Sequence, residues 1–150
     1  MSRQLEGVAQ SNLFEFYARI QGQVPEVQWA FHVPNGGHRH IAVAMQLKAQ
    51  GVKSGVPDIL IPVPSARRMD DATRHVFDTQ TQQLNATTLP YFGLAIELKV
   101  GKNKQSEEQV RWQARFQQSG WREVVCYGWE AAARETLLYF GKTPEDFFLW

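Results

Sequence analysis

The apolar positions of this chain fall first into a helical rhythm and then into an alternating one, and the switches between them mark out its elements. Leu5, Val8, Ala9, Phe16 and Ile20 keep helical spacing, and no breaker falls between Ser11 and Arg19. The spacing predicts a first helix over Arg3–Gln21, ended by Pro25. Val27–Val33 alternates as a strand does, and Asn35-Gly36-Gly37 has the chemistry of a turn. Ile41, Ala44, Met45 and Lys48 then form a second helical face, stopped by Gly51. Strands follow at about Asp58–Pro62 and Tyr91–Val100.

Between those two strands, Ser65–Pro90 is polar, rich in Thr, Gln, Asn and Asp, and without a sustained period. It reads as an excursion from the sheet in the form of a hairpin. Ser106 with Gln109 three residues on spells a capping box. Glu107 and Glu108 suit the positive end of the helix that follows, which runs to Gly120. A strand at about Arg122–Tyr127 and a helix at about Glu130–Tyr139 complete the core, and Thr143-Pro144-Glu145-Asp146 caps a last turn. The ending Phe147-Phe148-Leu149-Trp150 is too apolar to stand in water, so it docks on its own domain or joins a partner.

A chain of 150 residues with 43% hydrophobic content suits one domain with its own core, and no internal repeat or linker interrupts it. A formal charge of +1 excludes a global basic field, so any nucleic-acid binding has to come from local patches and from metal. The one cysteine, Cys126, excludes an intrachain disulfide and a cysteine-built zinc cage; within Glu123-Val124-Val125-Cys126-Tyr127 it reads as a small buried hydrophobe. The start lacks the apolar stretch of a signal peptide, and no run approaches the roughly 20 residues of a membrane span. A reducing cytoplasm is the expected compartment. Trp29, Trp112, Trp121 and Trp129 fall in or beside predicted elements, where they serve the core or, for one of them, stack on unpaired bases.

Two strand-like blocks carry charge where an apolar strand should not. They are Gly55-Val56-Pro57-Asp58-Ile59-Leu60-Ile61 and Leu94-Ala95-Ile96-Glu97-Leu98-Lys99-Val100. Residues two apart share a strand face, so Glu97 and Lys99 stand side by side while Leu98 points into the core. Burying a carboxylate and an ammonium is costly unless something pairs them. A divalent ion between Asp58 and Glu97, with Lys99 beside it, supplies that pairing and also does chemistry. Two hard oxygen donors suit Mg²⁺, with Mn²⁺ as a substitute, rather than zinc. Asn35-Gly36-Gly37-His38-Arg39-His40 is either a plain turn or a set of amides able to cradle a phosphate, with Gly36, Gly37 and Arg39 as the contacts. Lys48, Lys53, Lys102, Lys104 and Arg111 are either a solvated face or a rim tracking a nucleic-acid backbone.

Pro57-Asp58 followed by Glu97-Leu98-Lys99 resembles the PD-(D/E)xK nuclease signature. More of the chain agrees with one branch of it. Glu6-Gly7-Val8-Ala9-Gln10, Val33-Pro34-Asn35-Gly36-Gly37, Leu47 through Asp58, Glu97-Leu98-Lys99 and Ser106-Glu107-Glu108-Gln109 come in the order seen in the VRR-NUC nucleases. The likeness is greatest to short stand-alone members from phages and bacteria. The resemblance implies an α/β fold with a restriction-endonuclease-like core, a mixed central sheet flanked by helices. It implies a Mg²⁺-dependent DNA endonuclease in a bacterial or phage-infected cytoplasm, selective for branched DNA such as four-way (Holliday) junctions, and a homodimer whose contact the apolar tail supplies. It also adds site residues: Glu6 as a further metal acid oriented by Gln10, the Leu98 carbonyl in the metal shell, and Gln109 beside Lys99 and the scissile phosphate. Glu15 is the rival to Glu6. A DNA-binding module without catalysis, or a nuclease directed at flaps or RNA, is the alternative. The excursion at about 65–90 is longer than the family usually carries there.

Overall fold

The computed structural model describes residues 2–34, 41–65, 73–78, 83–88 and 91–148, with backbone alone at 2–4, 73–78 and 83–88. Helix α1 (Ser2–Ile20) buries Ala9, Leu13, Phe16, Tyr17 and Ile20, the stripe that a helix period of 3.6 places on one side. Leu5 and Val8, which share the predicted face, lie exposed near its start.

The alternating stretch Val27–Val33 is not one strand. Pro25 stands in the first turn of a 3-10 helix, Pro25–Trp29, because its fixed φ suits that position and its missing N–H is not needed there. Only Phe31–His32 remains as strand β1. Trp29 consequently lies 60% exposed instead of in the core. Helix α2 (Ile41–Ala49) forms where the spacing predicts it, but none of its residues is buried and only Leu47 is half-buried, so most of its apolar face stands exposed.

The central sheet has the order β1, β2 (Ile59–Ile61), β5 (Leu94–Lys99), β6 (Arg122–Tyr127). β1 and β2 pair antiparallel, as do β2 and β5, while β5 and β6 run parallel, so the sheet is mixed. The excursion holds a second antiparallel ladder, β3 (Thr73–Asp78) with β4 (Gln83–Thr88).

Leu94, Ile96 and Leu98 of β5 face helices α1 and α4 (Trp129–Tyr139) and join the core with Ile59, Ile61, Cys126, Ala133 and Leu137. A buried polar pair ties the two helices: Tyr17 donates to Thr136 Oγ1 at 2.7 Å, and Thr136 donates back to the Ala132 carbonyl. Cys126 is buried and free, its thiol pushed up to about 12 by burial, which fits the inert hydrophobe expected of it. Phe147 and Phe148 close the same core, Phe148 lying parallel to Phe16 with ring centroids 5.2 Å apart. That part of the tail is therefore spent inside its own chain.

Helix α3 (Glu107–Gln118) serves the opposite face of the sheet, reaching Glu97 and Lys99 through Gln109. The mixed sheet with helices on both faces is the α/β architecture expected from the sequence.

Candidate active site

The site forms where β2 and β5 part company. Their ladder pairs Ile59 with Ile96 and goes no further, yet β5 continues through Lys99. The amide of Leu98 would lose its partner there. The Asp58 side chain replaces it, with Oδ2 accepting from Leu98 N–H at 2.8 Å. In a strand the N–H and C=O of one residue leave on the same edge. The Leu98 carbonyl therefore leaves on the Asp58 side, whereas the neighbouring Lys99 carbonyl accepts from Gly128 on the β6 side. Asp58 is held in turn through its own carbonyl, which accepts from Val33 N–H at 2.8 Å and from His32 Nδ1 at 2.9 Å. That bond fixes the proton of the His32 ring on Nδ1.

On the α3 face of β5, Glu97 is 2% exposed and Lys99 is 7% exposed. Lys99 Nζ stands 2.8 Å from Glu97 Oε1. Gln109 completes a triangle: its Nε2 donates to Glu97 Oε1, and its Oε1 accepts from Lys99 Nζ at 3.1 Å. The same Oε1 accepts from Ser106 N–H at 2.8 Å, while Ser106 Oγ accepts from Gln109 N–H at 3.3 Å. The capping box and the polar cluster are thus one construction, and Gln109 belongs to both.

Gly55 explains how α3 comes so close. Its φ is +77°, and a Cβ there would stand 2.6 Å from Glu108 Cβ and 2.9 Å from the Gln109 amide nitrogen. Only glycine combines that left-handed backbone with that approach.

The electrostatics follow from burial. Glu97 is pushed up to about 7, first by loss of solvent and then by the Asp58 carboxylate, against the pull of Lys99. Asp58 is raised for the same first reason, opposed by the Leu98 amide, Lys99 and His32, and raised further by Glu6. Glu123 is a third buried acid on this face, one strand across and opposite Ala95 in register; burial raises it as well. Among the described residues, the Gln113 side chain is the polar group that opposes this rise.

Glu6 projects from α1 half-buried, and its Oε1 accepts from Asn103 Nδ2 at 3.0 Å. Its carboxylate is the last of the influences that raise Asp58. Gln10 is half-buried on the same helix, and Glu15 is exposed. Lys102 and Lys104 are exposed on the loop after β5, Lys53 lies exposed beside α3, and Lys48 is exposed on α2. Gly36, Gly37 and Arg39 lie outside the described residues, as do His38 and His40.

Four residues that sequence reasoning passed over matter here. Asn103 and Glu123 carry no motif, and only the tertiary approach of other elements reveals them. Gly55 stood inside a quoted block without a role, and its position two residues before Pro57 was the available signal. His32 falls inside the predicted Val27–Val33 strand, and nothing in its spacing marks it for a role.

Among the described residues no three His, Cys, Asp or Glu side chains already close on one point. Two carboxylates and a carbonyl edge nonetheless match what Mg²⁺ asks of a protein. That ion takes one or two carboxylates and keeps several waters, so a full protein cage is not required. The donor set is all oxygen, and the pKa values of Asp58 and Glu97 are raised, first by burial and then by neighbouring carboxylates, so that a cation would stabilise their charged forms. Asp58, Glu97 and the Leu98 carbonyl are the groups able to hold one, with Glu6 at the margin.

Comparison with known proteins bears on this geometry. The family model of the VRR-NUC domain matches residues 6–130, a span running from Glu6 past Gln109 to the start of α4. A solved structure described as a VRR_NUC domain protein superposes with a TM-score of 0.62 over 91% of this chain and 88% of its own length, at 19% identity. That likeness establishes the fold. No curated protein matches the chain. With the matched span enclosing half-buried Asp58 and Gln109 and buried Glu97 and Lys99, the chain belongs to the VRR-NUC family of nuclease domains.

Proposed function

We propose that this protein is a Mg²⁺-dependent DNA endonuclease whose reaction centre is Asp58, Glu97, Lys99 and Gln109, with Glu6 supporting. The observation that carries the reading is the Lys99–Glu97 contact of 2.8 Å at the end of β5, beside a carboxylate already hydrogen-bonded to the intervening amide. Burying charges is costly unless they are compensated, and the half-buried Asp58 carboxylate beside this pair adds an anion that a cation would offset.

When bound, a divalent ion supplies charge neutralisation at the phosphate and a more acidic water. Asp58, Glu97 and the Leu98 carbonyl would hold it. Lys99 Nζ, fixed between Glu97 and Gln109, orients the attacking water or meets the charge that builds on the phosphate oxygens. Gln109 keeps that ammonium from swinging away. Glu6, tied to Asn103, orders the approach from α1. Lys53, Lys102 and Lys104 line the route of a DNA backbone.

Branched DNA, including four-way junctions, and a homodimer form the finer part of the proposal. Two sites related by a two-fold axis suit a two-fold substrate. The exposed face of α2, with Ile41 and Met45 77% and 68% exposed, is a candidate for the contact beside the end of the tail, of which Phe147 and Phe148 pack on their own core while Leu149 and Trp150 lie outside the described residues.

The test incubates the protein and its Glu97→Ala variant with labelled linear, flap and four-way DNA, with and without Mg²⁺. The expected outcome is cutting by the parent only, only with Mg²⁺, and fastest on the four-way substrate, with DNA binding by the variant largely kept. Equal cleavage by parent and variant would refute the assignment. A monomer by light scattering at micromolar concentration would remove the dimer.

A further inference from the structure

A cavity of about 320 Å³ opens on α3, one turn away from Gln109. Lys53 and Ser54 form one wall; Glu108, Arg111, Trp112 and Arg115 form the other. Three cations against one carboxylate is a strong local excess in a chain whose formal charge is +1. A second cavity of about 220 Å³ shares Trp112 and Arg115 and continues to Phe116 and Trp121. The two make one groove, basic at one end and aromatic at the other.

The aromatic end is organised. Trp112 Nε1 donates to the Ser54 carbonyl at 3.0 Å, which pins the indole by its edge. The half-buried ring lines both cavities, with Phe116 tilted beside it at 6.0 Å and Trp121 packed edge-on to Phe116 at 5.2 Å. Both walls lead to the proposed reaction centre: the Lys53–Ser54 loop runs through Gly55 to Asp58, and α3 begins at Gln109's turn. No other role is visible for Arg111 and Arg115, which are exposed.

We infer that this groove binds the unpaired DNA strand leaving the reaction centre, a base stacking on Trp112 while Lys53, Arg111 and Arg115 hold the flanking phosphates. The inference rests on the nuclease reading. A cavity of this size admits roughly one nucleotide and excludes a duplex. Cations that track a backbone beside a stacking ring are the means by which proteins hold single strands without regard to sequence. The groove therefore favours substrates carrying a single-stranded arm or an opened branch point.

The experiment uses the full chain with Glu97→Gln, so that DNA is bound and not cut. Fluorescence anisotropy compares a labelled oligothymidylate with a blunt duplex of equal length. Trp112→Ala should weaken oligothymidylate binding about tenfold, the value of one lost base stack, and change duplex binding less than about twofold. Trp112→Phe should restore most of the affinity, which separates stacking from misfolding. Arg111→Ser, at an exposed position, should lower the salt slope for oligothymidylate by about 0.7. Unchanged oligothymidylate binding in both Trp112→Ala and Arg111→Ser, or equal losses on both DNAs, would overturn the inference. A parent enzyme that cuts DNA while these variants bind like the Glu97→Gln protein removes the groove alone; a parent that cuts no DNA removes the reading beneath it.

Discussion

The two faces of strand β5 are built on opposite principles. Leu94, Ile96 and Leu98 look into a core closed by α1 and α4, where every contact adds to stability. Glu97 and Lys99, on the same six residues and just as buried, look toward α3 and are held by a handful of polar contacts. Burial on the first face is the source of stability. On the second it is a cost, which the first face offsets, and the result is a carboxylate pushed up to about 7. The lesson is that one strand can hold a fold together and carry its least comfortable groups, provided the alternation of side chains keeps the two apart.

The largest effect expected from breaking this contrast is on the apolar side. Ile96→Ala should cost about 2–5 kcal/mol in urea unfolding. Cleavage per folded molecule should stay near the parent's, because the polar face is unchanged. A variant that stayed stable and lost activity would mean that the two faces are not separable.

Gly55→Ala should do the reverse. A Cβ at that place pushes on Glu108 and the Gln109 amide, and so shifts α3 from the sheet. Displacement of a positioning group by about 1 Å lowers a rate on the order of a hundredfold, and the left-handed backbone adds about 1–2 kcal/mol of strain. Cleavage rates and thermal melts of the same samples would show the disproportion.

The polar face alone should give the molecule a pH response near neutrality. Glu97 has an ordinary value of 4.5 and lies at about 7 in the fold. Between those values the folded state keeps a proton that the unfolded state releases. Stability in EDTA should therefore fall as pH rises from about 4.5 to about 7 and then level off. Asp58 and Glu123 are raised too and act in the same direction. Melting curves from about pH 5 to pH 8 should show a shallower slope for Glu97→Gln than for the parent. Equal slopes would place the response elsewhere.

Much of this division was legible in the letters. The alternation Leu94-Ala95-Ile96-Glu97-Leu98-Lys99 gives the strand and its two faces at once, and Ser106 with Gln109 gives the cap and the helix start. What the letters left out is tertiary. Nothing in the spacing of Val27–Val33 says that Pro25 will start a helical turn instead of a strand, because alternation is a property of side chains and the turn is a property of the backbone. The apolar face of α2 is spelled clearly, but whether a face finds something to pack on depends on elements far away in the chain. Asn103 meets Glu6 across 97 positions, and the Asp58 carboxylate reaches Leu98 only because β2 stops where it does. The family resemblance placed Gln109 by Lys99; the capping geometry shows why it stays there.

The smallest effect tests that last point. Ser106→Ala removes one half of the capping box, worth about 1 kcal/mol. Because Gln109 also holds Lys99 and Glu97, cleavage should drop by more than that stability loss explains. A loss confined to stability would make the cap and the cluster independent.

The central claim is that Asp58 and Glu97 share one divalent cation at the end of β5. Anomalous diffraction from crystals of the protein soaked in Mn²⁺ tests it without recourse to activity. A peak bonded to both carboxylates and to the Leu98 carbonyl is expected, absent from crystals of Glu97→Gln. No peak there, or an ion bound elsewhere with Asp58 and Glu97 empty, would contradict it.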